Sequence, residues 1–219
     1  MRIPKIEKYS DNVSESSIYL EKHKLERPKL FLVNEKERIK FIKHIEKIIR
    51  MSYEYKEYIN YLKEEYNMTF CSVYENINRD NIPKVRIEIH HEPFTLYDIV
   101  NIVLCRFLSS GKDINEYDLS DEVLKLHFSG KVSLIPVSVT VHQLIHAGKV
   151  FIPVKYLSDG HKIFYEEYKT EISQCDLENI YLKKLAFSET FNFKDNNILH
   201  KKFIYLNNEN NDNEVQEVE

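Results

Sequence analysis

The strongest periodicity lies between residues 34 and 66. In "EKERIKFIKHIEKIIR" the apolar residues Ile39, Ile42, Ile45 and Ile49 recur at steps of three and four, which marks one face of an α-helix. Asn34 precedes the run and Glu37 follows three residues later, the spacing of a capping box, so the helix is expected to open at Asn34. Lys36, Lys40, Lys43, Lys47 and Arg50 repeat on a second stripe. Such a stripe is either an ordinary solvated face or a track for phosphate, and both readings stand. The aromatic-rich "SYEYKEYINYLKEEY" (52–66) predicts a second helix packing back on the first.

From residue 68 the period shortens to two. "MTFCSVY" and "KVRIEIHH" flank the turn-rich "ENINRDNIP" and predict an antiparallel ribbon. Val85, Ile87 and Ile89 fall on one face of its second strand, and Lys84, Arg86, Glu88 and His90 on the other. Helices follow at 95–110, opened by Thr95 and Asp98 and stopped by Gly111, and at 119–128 before Gly130. "KVSLIPV" (131–137) and "KVFIPVKYL" (149–157) predict strands. Between them "VTVHQLIHAGK" (139–149) predicts a two-turn helix, with Thr140 as cap, Gln143 in the capping-box position and Gly148 as stop.

The ends carry weaker patterns. Residues 1–28 predict a loose arm, "KLFLV" (29–33) a short strand, "CDLENIYLKKLAF" (175–187) a helix, and the Asn- and Glu-rich 207–219 a disordered tail. The organisation is α+β: an N-terminal arm and helical extension over 1–66, a core over 67–157 with a helical insert at 95–128, a mixed segment over 158–206 packed on that core, and the tail.

Composition narrows the chemistry. No apolar run approaches the ~18 residues of a membrane span, and the N-terminus lacks the apolar stretch of a secretory signal, so a cytoplasmic protein is expected. Cys71, Cys105 and Cys175 are odd in number and widely spaced, which disfavours a disulfide framework or a thiolate zinc finger. The net charge of −4 argues against a generic nucleic-acid coat. Five of the acids lie in the tail, however, so a basic face elsewhere remains open.

The histidines carry the candidate chemistry. On a helix, His142 and His146 stand at i and i+4, so their rings leave one face a turn apart, as paired metal ligands do. "IEIHHEP" (87–93) places His90 and His91 together at a strand end, where adjacent side chains diverge. One ring can then serve a metal while its neighbour does something else. His127, on the 119–128 helix, is expected to be structural.

"EIHHEP" followed by "HQLIHAGK" resembles the metal motif of the HNH, or His-Me finger, endonucleases, closest to the colicin-type DNase branch. With its long insert the chain also resembles HNH proteins of bacteriophage genomes. The resemblance implies a ββα-metal core, with the helices at 95–128 inserted between the two motif strands. It implies His90, His142 and His146 as ligands of one divalent ion, His91 as general base, and Glu88 and Lys84 beside the scissile phosphate. Ser133 stands where that family has an asparagine tethering the loop between the strands, and a serine cannot bridge two backbone groups as an amide does. An all-imidazole set favours Zn²⁺, Ni²⁺ or Mn²⁺ over Mg²⁺.

The function so implied is a metal-dependent endonuclease in the host cytoplasm. It would hydrolyse phosphodiester bonds in DNA, with RNA not excluded, and Lys149 and the Lys36–Arg50 stripe would contact nucleic acid. The insert at 95–128 would serve as a face for a homodimer or other phage proteins. The alternative reading is a non-catalytic nucleic-acid-binding, assembly or regulatory protein that keeps the metal for structure.

Overall fold

Asn34 opens the first helix, α1 (Glu35–Met51), by accepting at Oδ1 from the backbone N–H of Lys36 at 3.0 Å and of Glu37 at 3.4 Å. The computed structural model describes residues 34–190 apart from 75, 76, 78–81, 83, 112, 113, 155 and 156. The N-terminal arm, the expected strand at 29–33 and the acidic tail lie outside the described residues. Ser52 links α1 to α2 (Tyr53–Glu64): its Oγ donates to Ile49 O at 2.9 Å and accepts from Tyr55 N–H at 3.1 Å. One hydroxyl thus serves the end of one helix and the start of the next.

The sheet has two antiparallel strands among the described residues, β1 (Ile87–His91) and β2 (Leu134–Ser138). Ile87 is opposite Ser138, Ile89 opposite Pro136 and His91 opposite Leu134. The ribbon expected between 68–74 and 84–91 is therefore replaced by pairing with a segment far along the chain. The reason lies in burial. Met68 is enclosed in a large helical core and Cys71 in a smaller one beneath the sheet, so this stretch crosses between cores. Cys71 N–H is satisfied by Ile77 O at 2.7 Å and Ser72 N–H by Pro136 O at 2.9 Å.

Between the strands run α3 (Leu96–Ser109) and α4 (Glu116–Phe128). Thr95 and Asp98 form the reciprocal capping box that opens α3, while Asn115 caps α4 through Tyr117 N–H and Asp118 N–H. Their place in the fold corrects the expectation of an insert that offers an interaction face. Leu96, Ile99, Val100, Ile102, Val103 and Leu104 of α3 are all buried, and α3 packs against α1, α4 and a later helix, α6 (Gly160–Gln174). Each such side chain is worth ~1.5–3 kcal/mol of burial. The segment is the centre of the larger core.

Immediately after β2 comes α5 (Val139–His146), capped by Ser138 rather than Thr140. Ser138 is buried at the strand end and accepts from Val141 N–H, whereas Thr140 is exposed. Gly148 ends the turn at φ +66°, with Lys149 N–H bonded back to Leu144 O at 2.8 Å. The expected strand at 149–157 is not formed among the described residues. Val150, Ile152 and Val154 do alternate into the smaller core, as a strand would, but no neighbouring strand is there to pair with.

Two further helices follow among the described residues, α6 and α7 (Glu178–Thr190). Helix α6 buries Phe164, Tyr165, Tyr168 and Ile172. Its start approaches the α4–β2 turn so closely that a Cβ at Gly160 would meet Gly130 O at 2.6 Å. The whole is a mostly helical α+β fold, with seven helices and the two-stranded sheet among the described residues. No helix among these residues is long and apolar enough to cross a membrane.

Candidate metal centre

The turn from β2 into α5 brings the helical histidines over the end of β1. One ring nitrogen from each of His90, His142 and His146 lies within 4.8 Å of the other two. Ligand nitrogens on one tetrahedral ion stand roughly 3.3 Å apart, so modest closure would bring all three onto a metal. The cluster grades from buried to open. His90 is buried, His142 partly so, and His146 exposed.

Protonation is set by the surroundings. His142 Nδ1 lies 2.5 Å from Glu88 Oε2, and a carboxylate can only accept, so Nδ1 carries the proton. In the neutral ring Nε2 then offers a lone pair, 3.0 Å from His146 Nε2. A carboxylate that fixes the tautomer of a ligating histidine is a recurrent feature of metal sites. Arg86 holds the other oxygen of Glu88 at 2.8 Å. Glu88 therefore orients an imidazole, in place of the role beside phosphate expected for it.

His90 shows a further sign. Its Nε2 is buried and makes no hydrogen bond. Glu92 Oε2 lies 3.4 Å away, outside hydrogen-bonding geometry. Glu92 is itself buried and answered by Lys184 of α7, whose Nζ donates to Glu92 Oε1 and to Pro93 O, both at 2.7 Å. Burial raises the Glu92 carboxyl, but the His90 and Lys184 contacts outweigh it and hold the pKa below the ordinary value. An orphaned imidazole nitrogen beside a fixed carboxylate, with two further rings at hand, suits a borderline divalent ion.

The expected general base lies elsewhere. His91 points to the opposite face of β1 from His90, as strand alternation dictates. It is buried in the larger core, stacked on Tyr55 with ring centroids 6.5 Å apart. Its Nε2 is 2.9 Å from Nε2 of His127. His127 in turn places Nδ1 2.7 Å from Val123 O, so it donates there and accepts from His91. Burial and the neighbouring His127 hold His91 well below its ordinary pKa. Its one donating nitrogen is engaged, and the ring faces away from the three-histidine cluster.

The remaining expected residues scatter. Ser133 does tether a loop, but a different one: Oγ donates to Ser158 O at 2.8 Å and accepts from His161 N–H at 2.8 Å, pinning the entry to α6. Lys84 and Lys149 are exposed. Lys36, Lys40, Lys43, Lys47 and Arg50 line the exposed face of α1, with Lys40 paired to Glu37 at 2.8 Å and Arg50 to Glu46 at 3.6 Å. Sequence reasoning missed Glu92 and Lys184, 92 positions apart. The only trace they leave is an acid directly after the histidine pair.

A family model, Bacteriophage G278-like virion protein, matches residues 3–213. Neither a search of curated proteins nor one of solved structures finds a match. The family match spans the whole stretch on which the nuclease resemblance rested. It overturns the identification as an HNH endonuclease, and with it the DNA-hydrolysing function. The histidine spacing that produced the resemblance is real, but "EIHHEP" and "HQLIHAGK" are short, and the ring that should do chemistry faces the core. The chain belongs to the Bacteriophage G278-like virion protein family.

Proposed function

We propose that this protein is a structural part of the phage particle, and that one divalent ion on His90, His142 and His146 clamps α5 to β1. The observation that carries this reading is the Glu88–His142 contact at 2.5 Å, which presents a lone pair toward the other two rings. The ion would act as a cross-link. It would tie a strand to a helix brought from far along the chain, in a smaller core that has few large side chains to hold it. Metal binding to such a site adds its free energy to folding. Zn²⁺ suits three imidazoles, with water or a partner's side chain as fourth ligand. Partners are other proteins of the particle.

The test is metal content and stability of the purified full chain. About one equivalent of Zn²⁺, Ni²⁺ or Mn²⁺ should bind, His142→Ala should lose it, and the metal should raise the melting temperature of the parent alone. Equal metal content in parent and variant would refute the site. A supercoiled-plasmid assay run beside it should show no metal-dependent nicking. Nicking lost in His142→Ala would replace the structural role with a catalytic one.

A further inference from the structure

Three helices converge on a pair of sulfurs remote in sequence from the histidines. Cys105 on α3 and Cys175, at the C-terminal cap of α6, are both free thiols with Sγ atoms 3.0 Å apart. A guanidinium nitrogen of Arg38, from α1, lies 3.0 Å from Cys105 Sγ. That guanidinium is itself positioned by Asn101 Oδ1, at 3.0 Å from Nε and 2.6 Å from a terminal nitrogen. Asn101 and Cys105 stand one turn apart on α3, so a single arginine grips both. Cys71 is different: it is buried in the smaller core under the sheet.

We propose that Cys105 and Cys175 form a reversible disulfide under a two-electron oxidant of the peroxide class, locking α3 to the end of α6. The sulfurs need to close by only ~1 Å to reach the bonded distance of about 2.05 Å. Cys105 is the nucleophile. The hydrogen bond with Cys175, together with the charge of Arg38, lowers its thiol to about 6 against the opposing effect of burial, while Cys175 is raised. A thiolate beside a fixed cation, with a protonated thiol in contact, is the arrangement of an attacking and a resolving cysteine.

The steps balance. Cys105 thiolate attacks one peroxide oxygen, the O–O bond breaks, and with one proton water leaves and a sulfenic acid remains. Cys175 sulfur then attacks Cys105 sulfur, the S–O bond breaks, and the hydroxyl departs with the Cys175 proton as a second water. Two thiols and one peroxide become one disulfide and two waters, the two electrons passing from sulfur to oxygen. Cys105 is buried, and the half-buried Cys175 beside it marks the side from which a small oxidant would enter. A virion component passes from the reducing interior of a cell to an oxidising exterior, where such a bond persists.

The experiment treats the folded full chain with hydrogen peroxide at pH 7, removes the peroxide, unfolds the chain in guanidinium with a maleimide to block the remaining thiols, and maps the peptides without reduction. The expected product is one cross-linked pair containing Cys105 and Cys175, with Cys71 alone labelled. Its melting temperature should rise on the order of 10 °C and return with dithiothreitol. Labelling of all three cysteines, a cross-link through Cys71, or over-oxidation of Cys105 without a cross-link would overturn the proposal. Arg38→Gln should slow the reaction roughly tenfold at pH 7 and move the midpoint of its pH–rate profile upward. In the parent, a midpoint near that of an ordinary thiol would remove Arg38 as activator without any variant having to fold.

Discussion

His91 and His127 meet nitrogen to nitrogen, Nε2 to Nε2 at 2.9 Å, and only one of the two nitrogens can carry a proton. The Val123 carbonyl decides which, because it takes the proton on the other side of His127. His91 donates, His127 relays, and the chain of bonds ends on the backbone of α4. Two neighbouring rings in β1 therefore have different tasks, His90 toward the candidate metal and His91 toward the core.

Removing the relay should be costly. His127→Ala leaves the buried His91 donor without its acceptor and opens space beside Tyr55 and Tyr58. A loss of about 2–4 kcal/mol is expected in urea unfolding. Metal stoichiometry should survive, since neither His91 nor His127 faces the cluster. Metal loss in His127→Ala at a temperature where the variant stays folded would contradict this separation.

Acid should destabilise the protein in a defined window. Burial holds His127 at about 4, with the bond to Val123 opposing, and burial with Lys162 nearby holds His161 at about 4. Both pKa values lie below the unfolded value of 6.5. Between pH 6.5 and 4 the unfolded chain takes up protons that the folded chain refuses, so stability falls as pH falls. Each residue would cost about 3 kcal/mol by the bottom of that range. Urea midpoints from pH 7.5 to 4.5, measured with a chelator present, should show the decline. His161→Gln should remove about one proton from the slope, and an unchanged slope would mean that His161 titrates normally.

Glu88→Gln probes orientation separately from ligation. The amide can still accept from His142 Nδ1, yet it loses the charge and the pairing with Arg86. Metal affinity should fall roughly 10–100-fold, whereas His142→Ala should abolish it. Isothermal titration with Zn²⁺ separates the two outcomes. Equal affinity in Glu88→Gln and parent would reduce Glu88 to a surface ion pair.

Ser133 holds the entry to α6 through a single hydroxyl. Ser133→Ala strands His161 N–H and weakens the hold on Ser158, for a loss of about 1–3 kcal/mol. Ser133→Asn should be no better, because enlarging a buried side chain displaces the neighbours that its hydroxyl holds, at a similar cost. Chemical unfolding of the two variants settles this. A stabilised Ser133→Asn would show that the hydroxyl contacts are not what holds the entry to α6.

Helices α1, α2, α3 and α5 were legible because their apolar spacing and caps are local. Asn34, Ser52, Thr95 and Gly148 act within a few residues of themselves. Helix α6 was not, since its buried stripe is built from Phe164, Tyr165 and Tyr168 among glutamates and lysines, which blurs the contrast between faces. Strand pairing was misread because the pattern of 68–74 reports burial and not its partner. Spacing marks His142 and His146 as a pair; that His90 and not His91 joins them followed only from the nuclease resemblance. What surrounds the cluster was not legible: Lys184 reaching Glu92, and His127 engaging His91, depend on packing between distant helices.

The placement of α3 and α4 between the two halves of the histidine cluster has a consequence for the order in which the chain folds. Glu88 and His142 are 54 positions apart, and the intervening helices α3 and α4 supply much of the larger core. Closing so long a loop is unfavourable until those helices have packed. On that basis the strands would meet after the larger core has formed, and the three imidazoles would converge last. A metal ion on these histidines would then be captured only by chains whose larger core had already formed.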